Sequence, residues 1–178
     1  MFRQIFGLIL LLIVNQGLSS DMLGTQQKRF ENLALRLWDY PELGYLEVKS
    51  SNLLQEELKN EGFKIENNLA DIPTAFRAVY GESGPTIGIL GEFDALPGLS
   101  QTNSPFQEKA PNSNGAGHAC GHHLFGAGSA WAAVMIKQWL IETKIPGRII
   151  FFGTPAEEGG SGKVYMAREG AFENVDIM

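Results

Sequence analysis

Two short runs, residues 86–90 and 147–152, are almost wholly apolar, and they set the strongest constraint on what this 178-residue chain can fold into. A strand with one wet face alternates apolar and polar side chains, whereas a continuously apolar strand has to be covered on both faces. Helical patterns alternate with these runs. Residues 25–39 place Phe30, Leu33, Ala34 and Leu37 on one face at three- and four-residue spacing, and Pro41 and Gly44 end that helix. A second helix is expected from about residue 47 to 61, with Leu53, Leu54 and Leu58 inward and Gly62 just past its end. Residues 63–66 and 74–80 read as further strands, and a third helix runs from His123 to about Ile141, with Leu124, Gly128, Trp131, Met135 and Trp139 along one stripe. A short helix is expected at 163–169, and 175–178 begins another strand. This alternation predicts a single α/β domain with a mixed, largely parallel sheet. The chain breaks off as that last strand begins, which suggests the N-terminal part of a longer protein.

Composition narrows the function classes. With 44% hydrophobic and 19% charged residues the chain is neither a disordered tail nor a fibre. A formal net charge of −6 argues against nucleic-acid binding through a basic surface. The first residues stand apart from the fold. Arg3 precedes an apolar run over 5–14, too short for a bilayer span of roughly 20 residues, and Gly17, Ser19 and Ser20 are small. Residues 1–20 therefore read as a secretory signal peptide, cleaved after Ser19 or Ser20, with export to the periplasm or beyond and no stable membrane anchor. Its removal takes away Arg3 and no acid, moving the net charge from −6 to −7.

Three polar clusters carry the chemistry. Glu92 and Asp94 follow the 86–90 strand, at the edge where open α/β sheets bind ligands. Alone, that spacing fits a turn or cap made by Asp94 equally well. The segment Gly117-His118-Ala119-Cys120-Gly121-His122-His123 holds all three histidines and the only cysteine. Cys and His suit zinc-like cations. On an extended segment Cys120 and His122 share a side, with His118 on the same side by parity. A Cys–His nucleophile pair is a competing reading. Glu157 and Glu158 follow the 147–152 strand, where one carboxylate can ligate a metal and its neighbour serve as a base; an acidic helix start is the plainer alternative. Gly159-Gly160-Ser161-Gly162-Lys163 is not a phosphate loop, because Glu157 stands where its first glycine belongs and Val164 where Ser or Thr is required.

Taken in order, GEFDALPGLSQ, GHACGHHLFG and FFGTPAEEGGSGKVYM resemble the successive signatures of the aminoacylase/carboxypeptidase family of metal-dependent amidohydrolases, in its aminobenzoyl-glutamate hydrolase B-subunit branch. WDYPELGYLEVKSS is similar to the family's early helix-turn segment. The resemblance covers roughly residues 25–178. It implies a three-layer peptidase-like domain, with an inserted small dimerisation domain that this chain does not contain, and a homodimer for the full-length protein. It implies two divalent metal ions, manganese or zinc, held by Cys120, His122 and Glu158, with Cys120 bridging, Glu157 as general base and Asp94 as the acid that orients a ligand histidine. Glu92 stands where other branches place a ligand histidine. His118 falls outside the usual ligand set, and His123 departs from the family's Asp or Asn. The implied reaction is hydrolysis of the amide of an N-acyl or N-aroyl amino acid, a small-molecule substrate; dipeptides and other amino-acid conjugates are alternatives. No histidine follows His123, whereas the family supplies further ligand histidines downstream, so the 178-residue piece is expected to be inactive. The reading from a different class is a metal- or ligand-binding module that does not catalyse.

Overall fold

The computed structural model describes residues 20–111 and 113–178. The expected signal peptide, Ser20 apart, lies outside them. Helices α1 (Ser20–Trp38) and α2 (Val48–Asn60) lead into strand β1 (Lys64–Asn67), a tight turn at Leu69–Asp71, and strands β2 (Phe76–Tyr80) and β3 (Thr86–Gly91). A long loop then reaches helix α3 (His122–Thr143), followed by strand β4 (Arg148–Gly153) and the short helices α4 (Glu157–Gly160) and α5 (Gly162–Arg168). The strand order is β1-β2-β4-β3. β1–β2 and β2–β4 pair antiparallel, and β3–β4 pair parallel, so the sheet is mixed and partly parallel. The segment expected to start a strand at 175–178 reaches the outer edge of β3. There Ile177 bridges Ile87 in parallel and Gly88 N–H donates to Ile177 O at 2.8 Å.

The apolar runs are continuous because both faces of the sheet are covered. Successive side chains of a strand point to opposite faces. Ile149 and Phe151 of β4 join Phe76 and Ala78 in the larger core, together with Phe30, Leu33, Ala34 and Leu37 of α1 and Leu53, Leu54 and Leu58 of α2. Ile150 and Phe152 face the other way, with Val79, against Leu69, Phe172 and Val175. Helices on one face and the Leu69 turn with the C-terminal segment on the other make three layers.

In helix α3 the bulky stripe does not face the sheet as a whole: Leu124 is 62% exposed and Trp139 49%. Trp131 alone in that stripe stacks on a core ring, Phe30, at 5.8 Å between centroids. The buried side is instead small, with Gly126, Ala127, Ala130 and Ala133 followed by Val134, Lys137 and Leu140. Distance explains the choice. A Cβ at Gly126 would lie 2.7 Å from the Glu92 carbonyl oxygen, so the helix can approach the end of β3 only with small residues. Lys137 reaches across this layer and donates from Nζ to Glu61 O at 2.5 Å and Glu61 Oε2 at 2.9 Å. Arg29 also pairs with Glu61. Burial works to raise the Glu61 carboxyl, but its bonds to Lys137 and Arg29 and their charges outweigh that and hold it below its ordinary value.

Two outcomes follow from this packing. Gly126→Ala, whose methyl meets backbone rather than a yielding side chain, lowers stability by about 1–3 kcal/mol in chemical denaturation. Because the folded Glu61 carboxyl is depressed, its contribution is present above the unfolded value of 4.5 and is lost as pH falls below it. Lys137→Met removes about 2–3 kcal/mol at neutral pH, and melting curves from pH 7 to 3 show a smaller acid-dependent loss than in the parent.

Candidate metal centre

The parallel pairing of β3 and β4 builds the site. Gly91 and Gly153 are register partners at the C-terminal ends of the two strands, and Thr154 N–H donates to Gly91 O at 2.9 Å. Glu92 and Asp94 therefore leave the sheet beside Glu157 and Glu158, although more than sixty positions separate them in sequence. The first residue of α3, His122, points into the same space.

His122 is the hub. It is 4% exposed, and Nδ1 lies 2.8 Å from Asp94 Oδ1 and 3.1 Å from Asp94 O. With Nδ1–H donating to that carboxylate, Nε2 is the nitrogen left to bind a cation, an arrangement that fixes both tautomer and ring orientation. Nε2 faces Glu92 Oε2 at 3.0 Å, Glu157 Oε2 at 3.8 Å and Glu158 Oε1 at 3.8 Å. Asp94 is 1% exposed and uses its second oxygen to accept from Glu158 N–H at 2.9 Å. Burial works to raise the Asp94 carboxyl, but the His122 hydrogen bond, the Glu158 N–H and the His122 charge together lower it. For His122, burial works downward and is outweighed by the Asp94 bond and by the charges of Asp94, Glu92 and Glu158, so its value is raised.

Two groups of ligand atoms lie within 4.8 Å of one another: Cys120, His122 and Glu158, and Glu92, His122 and Glu157. The first is the set expected from the sequence. Glu158 Oε1 is buried with no hydrogen-bond partner among the described residues, an oxygen that a cation would satisfy. Thiol, imidazole and carboxylate donors together suit a divalent transition-metal ion. Lys163 is ion-paired with Glu92 at the rim. Neither Lys163 nor that pairing is signalled by the sequence, because nothing in the local pattern joins residues seventy-one positions apart.

The other two histidines lie outside this centre. The extended-segment parity that put His118 beside Cys120 fails because the chain turns there, with Gly121 N–H donating to His118 O at 3.1 Å. His118 Nε2–H instead donates to Leu37 O at 3.0 Å at the end of α1. His123 packs edge-on against Trp38, 4.7 Å between centroids. Burial lowers both, and with the charges of His118 and His122 added His123 is pushed down to about 4. Both rings are neutral packing groups at physiological pH.

Cys120 is exposed, and no hydrogen bond links it to a histidine among the described residues. The hydrogen bond to Glu158, burial and the charges of Glu158, Glu157 and Glu92 push the thiol up, opposite to what an activated nucleophile needs. A cation ligated by Cys120 would therefore have to displace the thiol proton. Titration of full-length protein with Zn²⁺ or Mn²⁺ in buffers of different ionisation enthalpy is expected to show release of about one proton per Cys120 site, and affinity falls with pH. Cys120→Ser removes most of that proton release.

The family described as Peptidase family M20/M25/M40 matches residues 88–178, the half of the chain that carries all three polar clusters. The chain is 40% identical over 156 residues to the B-subunit of p-aminobenzoyl-glutamate hydrolase from Escherichia coli, covering 88% of this chain and 32% of that protein. It is 31% identical over 173 residues to Xaa-Arg dipeptidase of Mus musculus, covering 90% of this chain and 36% of that protein. The chain thus spans about a third of the length of these curated relatives. A Bacillus subtilis structure described as a dinuclear metal binding peptidase from the M20 family superposes with a TM-score of 0.74 at 30% identity, over 86% of this chain and 42% of that one. Signature order, sheet topology and the gathering of Cys120, His122, Asp94, Glu157 and Glu158 at one sheet edge agree with the match: this chain belongs to the M20/M25/M40 peptidase family.

Proposed function

We propose that the full-length protein is a metal-dependent amidohydrolase of the aminobenzoyl-glutamate type, cleaving the amide of N-acyl or N-aroyl amino acids. The observation that carries this reading is the pair Glu157–Glu158 beside His122 Nε2, one carboxylate half-open to solvent and the other with a buried Oε1 that accepts no hydrogen bond among the described residues. The 40% identity to the p-aminobenzoyl-glutamate hydrolase B-subunit supports the substrate class. Dipeptides and other amino-acid conjugates are the neighbouring choices, in keeping with the similarity to Xaa-Arg dipeptidase.

Cys120, His122 and Glu158 would hold the cation side of the site, with two divalent ions, manganese or zinc, as the expected complement. When bound, such ions supply Lewis acidity that polarises a carbonyl and makes water more acidic. The remaining chemistry belongs to the chain. Asp94 keeps His122 in the tautomer that leaves Nε2 free. Glu157, its side chain 43% exposed, sits where it can take a proton from the attacking water and return it to the leaving amine. Lys163 neutralises Glu92 and limits the accumulation of negative charge around Glu157. The sequence-based expectations of export and of a homodimer in the full-length protein belong to this proposal. They rest on the N-terminal apolar run and on the family resemblance.

The test uses the full-length protein loaded with Mn²⁺ or Zn²⁺ and p-aminobenzoyl-glutamate, following release of the arylamine. Glu157→Gln is expected to lower kcat by about 10³-fold while metal content is unchanged. Wild-type protein that binds metal but hydrolyses no acyl amino acid would favour the non-catalytic binding module.

A further inference from the structure

The backbone that carries Glu157 is held from outside. Helix α4 is a single turn, and Ala156, just before it, has φ 55° and ψ 44°. For a residue with a Cβ this left-handed conformation costs roughly 1–2 kcal/mol and needs support from its surroundings. Ala156 is fully buried, and its N–H donates to Glu47 Oε1 at 2.7 Å. Glu47 is also fully buried, and its other oxygen accepts from Thr74 Oγ1–H at 3.0 Å. Thr74 is tied in turn to α2, whose Ser51 hydroxyl donates to Thr74 O at 2.8 Å.

The neighbours of Glu47 press on the same turn. A Cβ at Gly44 would lie 2.9 Å from Ala156 Cα, so the two backbones approach as closely as glycine allows. Tyr45 OH donates to Gly160 O at 2.5 Å. On the far side, Asp94 takes the Glu158 N–H. A buried carboxylate is a costly way to fill space that an apolar side chain could fill. What it supplies here is an acceptor for an otherwise buried, unpaired N–H at the residue that aims Glu157.

Resting on the reading of Glu157 as general base, we propose that Glu47 is a positioning residue that fixes the Ala156 peptide in its left-handed conformation and so sets where the Glu157 carboxylate stands. The Pro155–Ala156 peptide, which carries that N–H, is the lever. If it rotates, the base moves relative to His122, while Cys120, on another loop, stays in place.

The test uses full-length protein with Co²⁺ as the metal probe, whose thiolate absorption band reports Cys120 ligation independently of turnover. Glu47→Leu is expected to lower kcat about a hundredfold, with KM within about threefold of wild type and the cobalt band retained. Glu47→Gln keeps a carbonyl oxygen for Ala156 N–H and is expected to bring kcat back to within about fivefold of wild type. Thr74→Val, a milder change that guards against a Leu variant that does not fold, falls between the two. Hydrogen exchange at the Ala156 amide rises in the Leu variant. A folded Glu47→Leu protein with unchanged kcat, or failure of Gln to restore the rate, overturns the proposal. Loss of the cobalt band together with activity in both the Leu and Val variants overturns it in favour of a scaffold role. Wild-type protein inactive on every acyl amino acid sinks the hydrolase reading instead, and exchange at Ala156 then decides alone: an unchanged rate in Glu47→Leu removes the clamp.

Discussion

The parallel ladder between β3 and β4 is the constraint on which the rest of the molecule depends. Its register sets Gly91 beside Gly153, and from that point two chain segments leave the sheet together, each carrying two carboxylates. Four acids in one pocket would repel one another strongly in a poorly solvated site. The structure answers with directed hydrogen bonds. Asp94 is committed to His122 and to the Glu158 amide, Glu92 to Lys163, and the inward oxygen of Glu158 accepts no hydrogen bond among the described residues.

That ladder needs cover on both faces, and the cover shapes the site. Helix α3 must lie close to the end of β3 to deliver His122, and the small residues Gly126, Ala127, Ala130 and Ala133 permit it. The bulky side chains of α3 are displaced outward as a result. This is why a stripe defined by large apolar residues misjudges the buried side: the helix is fitted for closeness of approach, and small side chains carry little weight in a hydrophobic pattern.

The site is partly legible in one dimension. Cys120, His122, Glu157 and Glu158 stand out because metal-binding residue types crowd into two short segments, and Asp94 because it follows an apolar strand. His118 and His123 stand out equally and prove to be packing groups around Trp38. Whether a histidine in a glycine-rich turn faces the pocket or the core depends on backbone turns that alternation cannot foresee. Glu47 and Lys163 lie within the signature strings, but nothing local marks what they do. An acid at the start of a helix and a lysine on a short one are ordinary, and only their partners, Ala156 and Glu92, make them notable.

By itself the sequence determined the main helices and strands and the order of the polar clusters. Continuous apolar runs demand buried strands, three- and four-residue spacing demands helices, and the order of the polar clusters carries the family resemblance. Tertiary structure alone decided which residues meet. It set β4 between β2 and β3, turned His118 away and His122 inward, and brought a glutamate from the start of α2 to the turn before Glu157. The reason is physical: the patterns that specify secondary structure are local, whereas a hydrogen bond between Glu47 and Ala156, or between Asp94 and His122, exists only once distant segments have been packed to within 3 Å of each other.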